Sequence, residues 1–408
     1  MDRATPPKNP KLDQESRESR RDGRRIEDPR PTEIAAPIDP IARAAPDGPA
    51  ELMNLPRPRG LTEDGRLKSG RLAGLTMGAA ILTLSWPVLA ESFLNAMVGL
   101  TDTVLSTAIS NAAADAVSGA AYVNWFMGLV VQSLGLGATA LIARAVGAGR
   151  LGVANAALGQ SVLLALGLGA VSGAIVALSA GPAASMLSMH DEAREHFITY
   201  MRIMALGGPG MAMLFTLIAA ARGAGDNLTP LLSMVVVNAS NMFVSWMLAG
   251  TDLTAAAPTA ADPAARRMIL ENPFSFDMGV AGIATGTLIS YCVGTVFMGV
   301  VLLRGTGGVK LRVKRMKPHM HTAMRVLRVA FPNFLEMLGM WVGNFAIVLV
   351  VGLLGAASNG GALAAHMVAI RIEAFSFMPG FALGSAAATL VGQYLGAGSP
   401  NLAAKAVY

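Results

Sequence analysis

The chain has 408 residues, 53% of them hydrophobic and 14% charged, with a formal net charge of +6 and a mean hydropathy of +0.50. This is the composition of an integral membrane protein. No basic stripe interleaves with aromatics, which argues against a nucleic-acid partner, and the one cysteine, Cys292, excludes an intrachain disulfide.

Charge is unevenly placed. Fifteen of the 32 Lys and Arg, thirteen of the 26 Asp and Glu and half of the 22 prolines precede Leu72. A segment this polar cannot bury enough apolar area to offset its chain entropy, so residues 1–72 are expected to be a disordered tail. It contains no apolar run of the kind a secretory signal needs. Beyond it, a span of about 20 apolar residues suffices to cross ~30 Å of hydrocarbon. Eight segments qualify, near 75–107, 117–143, 154–180, 196–221, 229–250, 279–303, 329–354 and 362–394. Their connections alternate in charge, except that the connection 251–278 carries Arg266 and Arg267. Arg57 to Arg71, Arg144, Arg150, Arg222 and the basic run Lys310 to Arg328 fall on one side, and Asp115, Asp191, Glu192 and Glu195 on the other. The positive-inside rule then puts the N-terminus in the cytoplasm of a multi-pass protein of the inner (cytoplasmic) membrane. The connection 251–278, with three prolines, reads as an exposed loop.

The chain also repeats itself. Trp86-Pro87-Val88-Leu89-Ala90-Glu91 returns as Phe331-Pro332-Asn333-Phe334-Leu335-Glu336. Gly135-Leu136-Gly137-Ala138-Thr139-Ala140-Leu141, leading to Gly147-Ala148-Gly149, returns as Gly384-Ser385-Ala386-Ala387-Ala388-Thr389-Leu390, leading to Gly396-Ala397-Gly398. Duplicated membrane halves are a transporter architecture. They divide the chain into the tail 1–72, a first six-helix lobe 73–304, a basic cytoplasmic linker 305–328 and the first two helices of a second lobe, 329–408.

Four carboxylates lie well inside the spans: Glu91, Asp102, Glu336 and Glu373. A charge there is costly, so each is expected to face a cavity or a partner, and each is a natural binder of a proton or a small hard cation. Glu91, Asn95 and Asp102 share one helix face by spacing, as do Asn238, Asn241 and Ser245, and as do His366 and Glu373. Arg371 is a candidate partner for a buried carboxylate. The bland reading of Asn238 and Asn241 is interhelical glue, and of His366, Arg371 and Glu373 a structural network. HExxH, G-x-S-x-G and P-loop motifs are absent, so no enzyme is expected.

Several ordered segments resemble the multidrug and toxic compound extrusion (MATE) family. They are Trp86-Pro87 with Gly99-Leu100-Thr101-Asp102-Thr103; Ala143-Arg144-Ala145-Val146-Gly147-Ala148-Gly149; Arg222-Gly223-Ala224-Gly225-Asp226-Asn227-Leu228-Thr229-Pro230, continuing to Asn238 and Asn241; Ala364-Ala365-His366 through Arg371-Ile372-Glu373 to Met378-Pro379-Gly380; and Val391-Gly392-Gln393-Tyr394-Leu395-Gly396-Ala397-Gly398. The resemblance covers about 75–408. It implies an all-α integral membrane protein with a MATE-like two-lobe helical bundle of twelve helices, about eight of them in this chain. It further implies efflux of drugs or other amphipathic and cationic organic compounds, driven by H+ or Na+ antiport through an alternating-access cleft, with no other cofactor and a monomer as the working unit. On this resemblance Asp102 matches the family's first-helix acid and Asn241 its fifth-helix asparagine, the pair expected to hold H+ or Na+. Ser245 stands where many members place an aspartate, which shifts weight to a proton at Asp102 or to a second site around Glu336. The alternatives are a flippase for a lipid-linked saccharide on a related fold, disfavoured by the few basic residues in the spans beyond Arg202 and Arg371, and a non-transporting fragment.

Overall fold

The computed structural model describes residues 60–408 except 69, 188, 257–265, 275, 314–315 and 358–361. Ten helices and one small sheet are present among the described residues. In chain order they are α1 Met77–Ile109, α2 Asn111–Gly147, α3 Leu151–Met186, α4 Asp191–Leu206, α5 Gly208–Gly223, α6 Leu228–Ala249, β1 Leu253–Ala256, β2 Arg266–Leu270, α7 Gly279–Arg304, α8 Met320–Ala357, α9 Ala362–Ala397 and α10 Pro400–Lys405.

Six helical stretches are long and apolar enough to cross a membrane: α1, α2, α3, α6, α7 and Phe375–Ala397 of α9. The expected fourth span, 196–221, is instead the pair α4 and α5, bent by 53°. The break falls at Gly207-Gly208-Pro209, where proline has no N–H to continue the ladder and its ring crowds the preceding turn. The expected seventh span, 329–354, lies within the longer α8, part of whose side chains lie outside the described residues. Among the described residues six spans, or seven with the bent pair counted as one, are thus long and apolar enough to cross a membrane.

Three further boundaries move. The expected tail 1–72 lies outside the described residues as far as 59, but 60–72 is folded, with Leu61, Leu67 and Leu72 buried. The expected linker 305–328 is already helical from Met320. The loop 251–278 contains the antiparallel pair β1–β2, in which Ala256 faces Arg266 and Leu253 faces Leu270.

One local signal sets the geometry of an entire end of the bundle. The tripeptide Gly-Ala-Gly occurs where α2, α5 and α9 stop, at 147–149, 223–225 and 396–398. In each the last glycine has positive φ (69°, 82° and 90°), the left-handed turn that a side chain would strain. Each turn also closes the same way. Arg150 N–H donates to Ala145 O at 2.8 Å, Asp226 N–H to Ala221 O at 2.9 Å and Ser399 N–H to Tyr394 O at 3.0 Å, satisfying carbonyls the helix end leaves over.

The first and larger hydrophobic core is built mainly by α1–α7, with Val309, Leu311 and Val326 joining it from the connection and α8; a second joins residues 61–84 to α9 and α10. The halves meet where α2 crosses α9, with α1 packed on α9 and α2 on α8 at its flanks. Small residues permit the crossing. A Cβ on Gly147 would overlap the Gln393 backbone, one on Gly396 the Arg144 backbone, and one on Gly392 would come within 2.7 Å of Ala143 Cβ. Backbones at this distance associate through close packing rather than a hydrophobic drive. Gly396→Ala is therefore expected to destabilise the purified protein by about 1–3 kcal/mol, read from its thermal unfolding. Gly384→Ala, whose Cβ would meet open space, should be neutral or slightly stabilising. Equal shifts in the two variants would mean that the crossing is not this tight.

Candidate cation site and apolar cleft

Helix α1 carries two buried carboxylates, Glu91 and Asp102, about three helical turns apart. Their surroundings differ in kind. Asp102 sits among α4, α6 and α7 with neutral partners. The Tyr200 hydroxyl donates to its Oδ2 at 2.7 Å. The Thr287 hydroxyl lies 3.0 Å from Oδ1 and 3.1 Å from Oδ2, and Asn241 Nδ2 lies 3.5 Å from Oδ1. Asn241 Nδ2 also reaches Thr287 Oγ1 at 2.9 Å and Ser245 Oγ at 3.2 Å, while Ser245 donates to the Ile283 carbonyl at 3.3 Å. Asn241 Oδ1 is buried without a partner among the described residues. An orphaned buried acceptor beside a carboxylate is where a proton or an oxygen-liganded cation could be received.

Glu91 has a basic partner. Arg222 Nη2 stands 2.8 Å from its Oε1, and both side chains are largely buried. Arg222 comes from the end of α5, and its carbonyl accepts from Thr389 of α9 at 3.3 Å. The neighbouring Gly223 carbonyl accepts from Gln393 at 3.3 Å. The Glu91 pair therefore stands at the seam between the halves, away from the Asp102 cluster.

Of the residues singled out in the sequence, the structure gathers Asp102, Asn241 and Ser245. Asn95 is exposed despite its spacing from Glu91. Asn238 is buried and its Nδ2 donates to Met234 O of its own helix at 2.8 Å, while its Oδ1, like that of Asn241, is buried without a partner among the described residues. Glu336 and Glu373 are exposed. The side chains of His366 and Arg371 lie outside the described residues, and the carboxylate partner sought in Arg371 is supplied at Glu91 by Arg222. Sequence reasoning missed Tyr200, Thr287 and Arg222 as members of these clusters. Neither Tyr200, in the amphipathic Asp191–Leu206, nor Thr287 carries a signal along the chain.

The other face of α1 borders a cavity of about 640 Å³ shared with α9. Its walls are Trp86, Leu89 and Phe93 from α1 and Phe375, Met378 and Pro379 from α9, with Phe93 and Phe375 at 6.3 Å between ring centroids. It is apolar and aromatic, the lining that suits large amphipathic ligands.

The sequence pattern of the MatE family matches residues 87–247 and 332–408. The chain belongs to this family. MatE is a family of transporters, not enzymes, and membership makes this chain a multi-pass membrane protein. Over 320 residues it is 27% identical to the probable multidrug resistance protein NorM of Thermotoga maritima, covering 78% of this chain and 63% of that protein. It is 25% identical over 192 residues to the multidrug export protein MepA of Staphylococcus saprophyticus, covering 47% of this chain and 36% of that one. The chain thus spans less than two thirds of these curated relatives. Among solved structures, an outward-facing multidrug resistance MATE transporter superposes with a TM-score of 0.67 at 22% identity, covering 81% of this chain and 67% of that one. The Vibrio cholerae MATE transporter VcmN in its bent form superposes with 0.65 at 18% identity, covering 79% and 66%. These likenesses establish the MATE-like all-helical fold.

Within that fold the two carboxylates of α1 should respond differently to mutation. Glu91→Gln leaves Arg222 as an uncompensated buried charge and is expected to cost about 3–5 kcal/mol. Glu91→Leu combined with Arg222→Met should recover most of it. A thermal-unfolding cycle in which the double variant is as unstable as the sum of the singles would refute the pairing.

Proposed function

We propose that the chain serves secondary active efflux of amphipathic, cationic organic compounds, with a proton taken up at Asp102 as the coupling event. The observation that carries this reading is the position of Asp102, a buried carboxylate with only neutral partners among the described residues, on the same helix that walls the aromatic cavity. Ionised, Asp102 is held by donors from Tyr200, Thr287 and Asn241. Protonated, it becomes a donor itself, and the orphaned Asn241 Oδ1 offers the acceptor it would need. The two states thus favour different arrangements of α1 against α4, α6 and α7. An equilibrium between two bundle geometries can be biased in this way, as far as proton affinity differs between them.

The site also supplies hydroxyl and amide oxygens that suit Na+. It holds a single carboxylate, however, and one of the two lone pairs of Ser245 Oγ is already taken by Asn241 Nδ2 at 3.2 Å. That composition favours a proton. A cationic aromatic drug would lie against Trp86, Phe93 and Phe375, where ring faces attract positive charge. The basic connections support a cytoplasmic position for the end bearing the Gly-Ala-Gly turns, and we read the working unit as a monomer. Each coupling charge then contributes about 2.3 kcal/mol per 100 mV of membrane potential.

Vesicles carrying the full chain provide the test. An imposed pH gradient should drive transport of ethidium, and Asp102→Asn should abolish that transport while leaving ethidium binding within about threefold. Transport by the Asp102→Asn variant at the parental rate would overturn the assignment. Transport driven by a Na+ gradient alone would replace the proton with Na+.

A further inference from the structure

Two segments lead into pseudo-equivalent helices: residues 60–75 into α1 and residues 305–319 into α8. The second must cross from one half to the other, because it joins them. It does so against α3. Lys310 N–H donates to Asn155 Oδ1 at 2.7 Å, Gln160 Nε2 donates to the Lys317 carbonyl at 2.7 Å, and His319 N–H returns to Gln160 Oε1 at 2.9 Å. Val309 and Leu311 are buried in the first core.

The first segment makes the same crossing in reverse, although no covalent connection requires it. Attached to α1, it seats Leu61, Leu67 and Leu72 in one apolar cluster with Ala386, Leu390 and Tyr394 of α9. It is a formed element. Leu61 bridges to Leu67, and the Arg66 guanidinium donates to the Gly74 carbonyl at 3.0 Å. Gly60 lies over the crossing of the halves, where a Cβ would come within 2.8 Å of Ala397 Cβ and 3.0 Å of the Gly147 carbonyl.

Both arms end on one carboxylate. Asp226, almost fully buried in the turn between α5 and α6, pairs with Arg71 of the first arm and accepts from the Thr306 hydroxyl of the second. It also accepts from the Thr229 hydroxyl at 2.6 Å and the Thr229 N–H at 3.2 Å, which fix it to the start of α6.

We propose that residues 60–75 are a latch that holds this end of the bundle shut, with Asp226 as its clasp. To part α2 from α9 at this end, the three leucines must leave α9 or Arg71 must leave Asp226. The arm is tied covalently to one half and by packing to the other, so the seam cannot widen while both attachments hold. The latch rests on the family reading that the halves move against each other, and its test reads opening rather than transport.

The full chain carrying Cys292→Ser receives one reporter thiol at the seam through Thr389→Cys, a fully buried position. Its rate of reaction with a water-soluble maleimide in lipid nanodiscs measures how often the seam opens. Arg71→Gln and Asp226→Asn are each expected to raise that rate about tenfold, whereas Arg71→Lys, which keeps the charge, stays near the parent. If either neutral variant fails to elute as a monodisperse protein, Leu61→Ala provides the same reading by weakening the other attachment. A control thiol from Ser290→Cys, buried in α7, which packs on α4, α5 and α6 of the first half, should be unaffected. An unchanged rate at the seam in the folded variants overturns the latch. So does an equal rise at both thiols, because that would mean global loosening instead of opening at one end.

Discussion

Backbone contact between α2 and α9 is the constraint on which the other features depend. At Gly147, Gly392 and Gly396 the helices are closer than any side chain would allow. That proximity brings the Thr389 hydroxyl onto the Arg222 carbonyl and the Gln393 amide onto that of Gly223. It also places Phe375 within reach of Phe93, which makes the aromatic cavity a shared one. In hydrocarbon there is little hydrophobic gain in bringing two helices together, so the geometry of small residues decides where the halves touch.

A second regularity is the treatment of buried charge. Three acidic side chains are buried among the described residues, and their partners divide them by task. Glu91 and Asp226 each have an arginine, at the seam and at the capped end. Asp102 has hydroxyls and an amide. A carboxylate fixed by a guanidinium cannot exchange its charge without breaking a structural bond. One held by neutral donors can be neutralised and re-ionised with those donors still in place. The contrast, drawn along a single helix for Glu91 and Asp102, is what supports the proposal of Asp102 as the exchangeable group.

Much of this was legible in the sequence because it is local or periodic. The apolar runs gave the spans, and the repeated Gly-Ala-Gly marked helix ends whose backbone conformation only glycine enters easily. Asp102, Asn241 and Ser245 followed from spacing and from family resemblance together. What escaped depends on tertiary distance. Tyr200 and Thr287 meet Asp102 from separate helices, and no spacing along the chain encodes that. Asn95 shows the limit of face arithmetic, since a helix with neighbours on several sides has more than one buried direction, and position 95 points to none of them. The break at Gly207-Gly208-Pro209 was visible as residue types but was absorbed into an apolar window long enough to count as one span. The leucines of residues 60–72 were overlooked because the surrounding composition is polar; three well-placed leucines suffice once a partner helix is supplied.

The crossing of α2 and α9 has one more property. Gly147 abuts Gln393, and Gly396 abuts Arg144; in the repeat these are the same two positions exchanged. Ala143 faces its own counterpart, Gly392, at the centre, and the flanking contacts of α1 with α9 and of α2 with α8 are exchanged in the same manner. This is the self-complementarity of an isologous interface, which two-fold homodimers display between separate subunits. The seam of this chain thus has the form of a dimer interface written into one polypeptide, and neither copy of the repeat can drift alone. A bulkier residue at 147 meets the backbone of α9 and one at 396 the backbone of α2, so each half sets the limit on what the other can become.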